Sequence, residues 1–143
     1  MESKICVDAS LALKLVLPEP DSDLAQAQWQ TWTEAGVEII SPDLFVYETI
    51  SVLRNRVYRK EITQSEADEA RRILESLDIS HHQPARIRES GWDLARHLNR
   101  PTAYDAFYLA LAQEESSAFW TGDRRLYNAV KDQLKWVHVL GLG

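Results

Sequence analysis

The sequence predicts an α/β fold in which helices cover both faces of a central, mostly parallel sheet of four or five strands, a three-layer αβα sandwich. Short apolar runs with β-branched and aromatic residues alternate with longer stretches of helical periodicity, and strands separated by helices form parallel sheets that are buried on both faces. The 143 residues are 45% hydrophobic and 27% charged and contain no repeat or linker. This size and composition predict a single domain over residues 1–143 with its own core.

Four apolar runs predict buried strands, and a fifth run is a weaker candidate. Each run has four or five residues, the usual length of a strand, and turn or helix signals follow it. The four runs are residues 4–7 (KICV), 37–40 (VEII), 117–120 (SAFW) and 136–140 (WVHVL), and the weaker candidate is 77–80 (LDIS).

Helical periodicity fills the segments between these strands. It covers residues 10–16, 22–35, 43–59, 63–76, 84–98, 103–115 and 124–134. Ser41 before Pro42 predicts an N-cap followed by proline in the first turn, and Thr63 with Glu66 predicts a capping box. Ser10 is the predicted N-cap of the first helix.

The helix over residues 43–59 carries an acid among apolar neighbours. Its predicted buried stripe consists of Val46, Ile50, Leu53 and Val57. Glu48 lies on the opposite side, with Leu44 and Val52 one turn away in either direction. This pattern predicts that Glu48 lies at an edge or near a second contact surface.

The charge and the cysteine content restrict the classes of protein. Sixteen basic against 22 acidic residues give a net charge of −6, which argues against a simple electrostatic nucleic-acid binder unless several acids surround metal ions. The single cysteine, Cys6, lies in an apolar run and has no internal disulfide partner. Residues 1–10 lack a secretion signal, and no apolar run reaches the length of a membrane span. A cytoplasmic protein is therefore expected.

Three acids follow or precede predicted strands in a way that could bring them together. Asp8 ends the first strand, Asp123 follows the strand 117–120, and Asp105 begins the helix that leads into that strand. Because ligands of open parallel sheets bind at the carboxyl ends of the strands, these acids are expected at one edge. Each acid also has an alternative interpretation: a turn for Asp8, a box-like cap with Thr102 for Asp105, and an N-cap for Asp123. A cluster of carboxylates would favour a hard divalent cation.

The sequence around these acids resembles a known family. VDAS at Asp8, VYE at Glu48, TAYDAFYLALA at Asp105 and TGDRRL at Asp123 resemble PIN-domain nucleases, most closely the VapC-like toxins of toxin–antitoxin pairs, and the likeness extends over essentially the whole chain. The resemblance implies a PIN-like fold and a quartet of acids that binds Mg²⁺ or Mn²⁺. It also implies hydrolysis of RNA phosphodiesters by an activated water, without a side-chain nucleophile.

The resemblance extends to neighbouring residues and to partners. Ser10 and Thr121 match small hydroxyl positions that form hydrogen bonds within the site, whereas Ser51 stands where family members often have asparagine. Arg124 and Arg125 directly follow the last acid and are placed to meet an RNA phosphate. The family also implies a cognate antitoxin protein and a homodimer, for which Leu44, Phe45 and Val52 are the expected contact surface.

Other interpretations of the same residues remain open. The chain could be a PIN fold that only binds RNA or protein, or a Mg²⁺-dependent phosphohydrolase, although the latter expects a second aspartate where this chain has Ser10. Other features favour structural roles. These are a solvated turn at His81 and His82, a core or interface face for Tyr104 and Tyr108, and a solvated helix end for residues 54–60 (RNRVYRK).

Overall fold

In the computed structural model, which describes residues 3–141, the strands pair in parallel to form one twisted sheet. The strands are β1 (Lys4–Val7), β2 (Glu38–Ser41), β3 (Ile79–His81), β4 (Ala118–Thr121) and β5 (Val137–Val139). Their order across the sheet is β3-β2-β1-β4-β5. The predicted α/β class and parallel sheet are confirmed, and the weaker strand candidate is the edge strand β3.

Helices connect successive strands. They are α1 (Ala9–Leu13), α2 (Ser22–Glu34), α3 (Leu44–Tyr58), α4 (Gln64–Ser76), α5 (Ile87–His97), α6 (Tyr104–Glu114) and α7 (Arg124–Val130). No helix in the described part of the chain is long and apolar enough to span a membrane. Each helix falls within or close to a predicted segment, and α7 is shorter than predicted because a turn follows Val130.

The alternation of side chains along β1 divides the core between the two faces of the sheet. Ile5 and Val7 pack with Trp32 of α2 on one face. Cys6 is buried on the other face together with residues from the remaining helices, among them Tyr108 of α6. The strands are therefore covered on both sides, as their continuous apolar runs require.

The N-terminal cap of α4 agrees with the prediction, and those of α1 and α3 differ. The capping box of α4 is confirmed, because Glu66 N donates to Thr63 Oγ1 at 3.0 Å and Thr63 N donates to Glu66 Oε1 at 2.9 Å. Ser10 is not the cap of α1; Asp8 holds that position. Ser41 does not cap α3 either, because it is the last residue of β2 and its hydroxyl forms a hydrogen bond with a histidine of β3.

The buried face of α3 overlaps the predicted stripe only in part: Leu53 is buried and Val57 packs against the core, as predicted. Val46 and Ile50 are 38% and 37% exposed, whereas the buried residues of α3 are Phe45, Thr49 and Leu53. Apolar residues occur on several sides of this helix, so periodicity alone left its rotation open, and packing against α1 and α4 selected the buried face. The same rotation places Leu44, Phe45 and Val52 in or against the core. They are therefore not the exposed dimer surface that the sequence suggested.

Candidate active site

The carboxyl edge of the sheet carries the acids that the sequence singles out. Asp8 directly follows β1, and Asp123 comes two residues after the end of β4. Asp105 lies in the first turn of α6, and Glu48 lies in α3. All four line a single cleft of about 640 Å³. The parallel sheet thus brings to one cleft residues that are up to 115 positions apart in the sequence.

Asp8 is buried and held by three donors from the chain. Its Oδ1 accepts hydrogen bonds from Ser10 Oγ at 2.7 Å and from Leu11 N at 3.1 Å. Its Oδ2 accepts one from Thr121 Oγ1 at 2.5 Å. The carboxylate therefore has both a capping role at α1 and a fixed orientation at the cleft.

Burial governs the protonation of Asp8. Loss of solvent raises its pKa from 3.8 to about 6, although the bonds from Thr121, Ser10 and Leu11 N favour the charged form. The negative charge of Asp105 raises the pKa further. This carboxyl is therefore near its titration midpoint at mildly acidic pH and is ionised mainly at neutral pH and above.

Two hydroxyls tie the turn after β1 to the turn after β4. Ser10 Oγ and Thr121 Oγ1 lie 3.2 Å apart. Ser10 Oγ accepts from Gly122 N at 3.0 Å, and Thr121 Oγ1 accepts from Asp123 N at 3.0 Å. Each hydroxyl therefore accepts a backbone N–H and donates to Asp8. The structure thus places both hydroxyls within the cleft, beside Asp8.

Glu48 is half-buried and has a partner that the sequence did not identify. Tyr108 OH donates a hydrogen bond to Glu48 Oε1 at 2.5 Å. Burial raises the pKa of Glu48, the bond from Tyr108 lowers it, and the charge of Asp105 raises it again. The predicted core role is confirmed for Tyr108, which is buried, whereas Tyr104 is exposed, so the two tyrosines do not share one buried face. The three-residue spacing from Asp105 to Tyr108, one helical turn, was the available signal.

Asp105 pairs with an arginine and does not form the cap that its sequence position also allowed. The N-cap of α6 is Ala103, without a side-chain hydrogen bond, so the box-like cap with Thr102 does not form. Arg100 Nη2 lies 3.3 Å from Asp105 Oδ2. Arg100 Nε is buried and has no hydrogen-bond partner among the described residues. The guanidinium is therefore held at Asp105 by one of its nitrogens only.

Asp123 is the N-cap of α7, as one of the two interpretations proposed. Its Oδ1 accepts from Arg125 N at 2.9 Å and from Leu126 N at 3.3 Å. The carboxylate also lines the cleft, together with the exposed side chains of Arg124 and Arg125. Asp123 can therefore both cap α7 and present its carboxylate to the cleft.

The donor chemistry of the cleft suits a hard divalent cation. Carboxylate oxygens are the ligands that Mg²⁺ prefers, and Mg²⁺ is commonly bound through only one or two of them together with water. The charge of Asp105 raises the pKa of both Asp8 and Glu48, so these acids interact across the cleft. Between residues 3 and 141, however, no three His, Cys, Asp or Glu side chains stand close enough together to hold a metal ion. Protein donors engage the acids instead, at Asp8, Glu48, Asp105 and Asp123.

Comparison with known proteins agrees with the fold and with the motifs. The chain matches the PIN domain family over residues 5–132. Ribonuclease VapC3 of Pyrobaculum aerophilum is 30% identical over 128 residues, which cover 86% of this chain and 92% of that protein. The residues matched by the family span the positions of all four acids of the cleft.

Two crystal structures share the fold. Mycobacterium tuberculosis VapC20, a sarcin-ricin loop cleaving toxin, superimposes with a TM-score of 0.64 at 22% identity and covers 87% of this chain and 94% of its own. The PAE2754 protein of Pyrobaculum aerophilum superimposes with a TM-score of 0.64 at 21% identity and covers 94% of this chain and 91% of its own. The chain therefore belongs to the PIN domain family and is a VapC-like member of it.

Proposed function

We propose that this protein is a metal-dependent endoribonuclease, the toxin of a toxin–antitoxin pair, which hydrolyses RNA phosphodiester bonds. The observation that carries the proposal is the convergence of Asp8, Glu48, Asp105 and Asp123 on one cleft. Membership of the PIN domain family and the similarity to Ribonuclease VapC3 support it. A PIN fold that only binds RNA or protein is the alternative, and an intact acidic quartet would have no evident purpose there.

In this proposal the four acids surround Mg²⁺ or Mn²⁺, which one or two of them would bind directly and the others through water. A divalent ion supplies a water activated for attack and neutralises charge on the phosphate. Ser10 and Thr121 keep Asp8 oriented through the hydrogen bonds described above, and Tyr108 does the same for Glu48. In this arrangement neutral hydroxyls orient the acids, and the acids supply the negative charge.

The proposed partners follow from the site and from the family. RNA is the substrate, and Arg124 and Arg125 at the rim of the cleft are suited to contact its phosphates. We also propose a cognate antitoxin protein, a cytoplasmic site of action and a homodimer. Since Val46, Tyr47 and Ile50 are the exposed apolar residues near Glu48 on α3, this face replaces the dimer surface expected from the sequence.

The proposal is tested by neutralising single acids. Asp8→Asn and Asp105→Asn should each remove nearly all RNA cleavage in Mg²⁺ or Mn²⁺, because each replacement removes a charged ligand while preserving shape. Asp93→Asn makes the same change in charge at an exposed ion pair with Arg96 on α5 and should leave cleavage unchanged. Cleavage is measured on purified protein, with chelator as the second control. Substantial cleavage by folded Asp8→Asn, or cleavage that persists in chelator, would reject the proposed mechanism.

A further inference from the structure

The loop between α1 and α2 lies along one side of the cleft and is held there by positive side chains. Residues 19–21 of this loop line the cleft. Three cations reach it: Lys14 Nζ donates to Pro20 O at 2.8 Å, Arg56 Nη2 donates to Glu19 Oε2 at 2.5 Å, and Arg124 Nη2 lies 4.0 Å from Asp21 Oδ2. The positive groups of this side of the cleft therefore face two acids and a carbonyl of the chain's own loop.

Two of these cations run close to glycines. A Cβ at Gly122 would lie 2.7 Å from Lys14 Cε, and a Cβ at Gly141 would lie 2.7 Å from Arg124 Nη2. The side chains of Lys14 and Arg124 thus pass close to backbone that carries no side chain. The long cationic side chains can therefore reach the rim of the cleft.

The third cation shares a helix face with one of the acids. Arg56 follows Glu48 by eight residues on α3, about 12 Å along the helix axis, and both line the cleft. A phosphate at Arg56 would therefore flank the scissile phosphate in a bound strand. Arg56 departs from the expectation that residues 54–60 form a solvated helix end.

The contacts of Arg56 are suited to exchange. Its side chain is 30% exposed and that of Glu19 is 16% exposed, so both groups of the ion pair reach solvent at the cleft. Arg56 Nε also lies 3.8 Å from Glu61 Oε2, so the guanidinium keeps a second partner if Glu19 leaves. Guanidinium groups bind phosphate and carboxylate oxygens with the same fork of donors.

We propose that Lys14, Arg56 and Arg124 form a phosphate-binding edge for a single RNA strand, and that Glu19 and Asp21 occupy this edge in the free protein. The RNA backbone displaces the two loop acids when it binds. By occupying the edge, Glu19 and Asp21 lower the affinity of the free protein for polyanions in general. The edge then binds only a strand that also fits the cleft. This inference rests on the proposed function, because it concerns the substrate of the same cleft.

The test compares two acids that each pair with an arginine. Glu19→Gln frees Arg56, whereas Glu75→Gln makes the same change in net charge at an exposed pair with Arg71 on α4, where Arg71 Nε and Glu75 Oε1 lie 3.1 Å apart. Binding of a labelled single-stranded RNA of mixed sequence is measured by fluorescence anisotropy in chelator, where no metal-dependent cleavage occurs. Glu19→Gln should tighten binding several-fold and steepen the slope of log K against log salt by about 0.7, one phosphate contact. Glu75→Gln should change both quantities little.

A double variant shows whether the effect passes through Arg56. Arg56→Gln should weaken binding, and adding Glu19→Gln to Arg56→Gln should give no further tightening, because the freed donor is missing. Arg71→Gln is the matched control and should preserve the effect of Glu19→Gln. Thermal melts of all variants establish that they are folded.

Several outcomes would overturn the inference. These are equal effects of Glu19→Gln and Glu75→Gln, weaker binding by Glu19→Gln, an undiminished effect of Glu19→Gln without Arg56, or no RNA binding by any variant. A different result would reject the proposed function: no metal-dependent cleavage, with the expected differences in RNA binding still present. Conversely, normal cleavage with none of the expected differences in binding would reject only the phosphate-binding edge.

Discussion

Tyr108 is a buried tyrosine whose hydroxyl forms a hydrogen bond with an acid at the cleft. It donates to Glu48 Oε1 from a buried position, and burial together with that acid raises the pKa of the phenol, which therefore stays protonated. Tyr108→Phe keeps the ring but removes the donor. We expect the free energy of unfolding to fall by about 1–3 kcal/mol, since the bond is made to a charged group. We also expect RNA cleavage to fall about tenfold, roughly 1.4 kcal/mol in the activation free energy, because Glu48 loses its orientation.

The neighbouring tyrosine of α6 supplies the control for this experiment. Tyr104 is exposed, so Tyr104→Phe should leave melting and cleavage unchanged. Chemical denaturation gives the stability, and initial cleavage rates at saturating metal give the activity. If Tyr108→Phe reduces stability but retains full cleavage, the phenol has only a structural role.

The raised pKa of Asp8 predicts how the stability of the metal-free protein depends on pH. Its folded pKa of about 6 lies above the value of 3.8 for an unperturbed carboxyl, so the folded state binds the proton more tightly than the unfolded state does. The parent is therefore destabilised by the ionised carboxylate above pH 6 and gains stability as pH falls from about 6 to 4. From the shift we expect a gain of about 3 kcal/mol.

Asp8→Asn isolates this contribution because it removes the titrating group. The difference in melting temperature between parent and Asp8→Asn, measured in chelator, should favour the parent increasingly as pH falls through about 6. The change of this difference with pH reports on the titration of Asp8. Its absolute size does not, because the amide also changes the hydrogen bonds from Ser10 and Thr121. A difference that is constant from pH 4 to pH 8 would mean that Asp8 keeps an ordinary pKa.

At the scale of elements, the junction of β4 with α7 tests whether one residue serves both as a cap and as a member of the acid cluster. Asp123 Oδ1 accepts two backbone N–H groups at the start of α7. Asparagine caps about as well as aspartate, so Asp123→Asn should cost little as a cap, whereas Asp123→Ala should cost about 1 kcal/mol. If Asp123 also belongs to the cluster, Asp123→Asn should raise the melting temperature in chelator by relieving repulsion and should reduce the rise caused by Mg²⁺ or Mn²⁺.

This prediction requires four thermal melts, of the parent and of Asp123→Asn, each in chelator and in millimolar metal. An unchanged response to metal would assign Asp123 to capping alone. The acid site would then consist of Asp8, Glu48 and Asp105.

At the scale of the whole molecule, the exposed face of α3 predicts assembly. Val46, Tyr47 and Ile50 are exposed, and a self-complementary apolar patch favours a symmetric dimer. Ile50→Glu should therefore convert a dimer into a folded monomer. Ile73→Glu on α4 is the matched control, because Ile73 and Ile50 are 38% and 37% exposed. Sedimentation velocity at micromolar concentration distinguishes the two states. A monomeric parent, or equal dissociation by both variants, would place the contact elsewhere or exclude it.

The sequence by itself determined the architecture and the location of three of the acids. Apolar runs separated by helices require a buried parallel sheet, and such a sheet places the strand-end residues Asp8 and Asp123 at one edge whatever the details of packing. Asp105 came to the same edge because its helix leads back to β4. These predictions depend on local pattern and chain connectivity, both of which can be read along the sequence.

Only the tertiary structure decided which side chains meet at that edge. The rotation of α3 turned Glu48 and Arg56 to the cleft and exposed Val46 and Ile50, because close packing against α1 and α4 selects one of several apolar faces. Tyr108 and Glu48 are 60 residues apart, and their hydrogen bond depends on two helices packing at a particular offset. Such contacts follow from the distances between whole elements, which the order of residues along the chain does not specify.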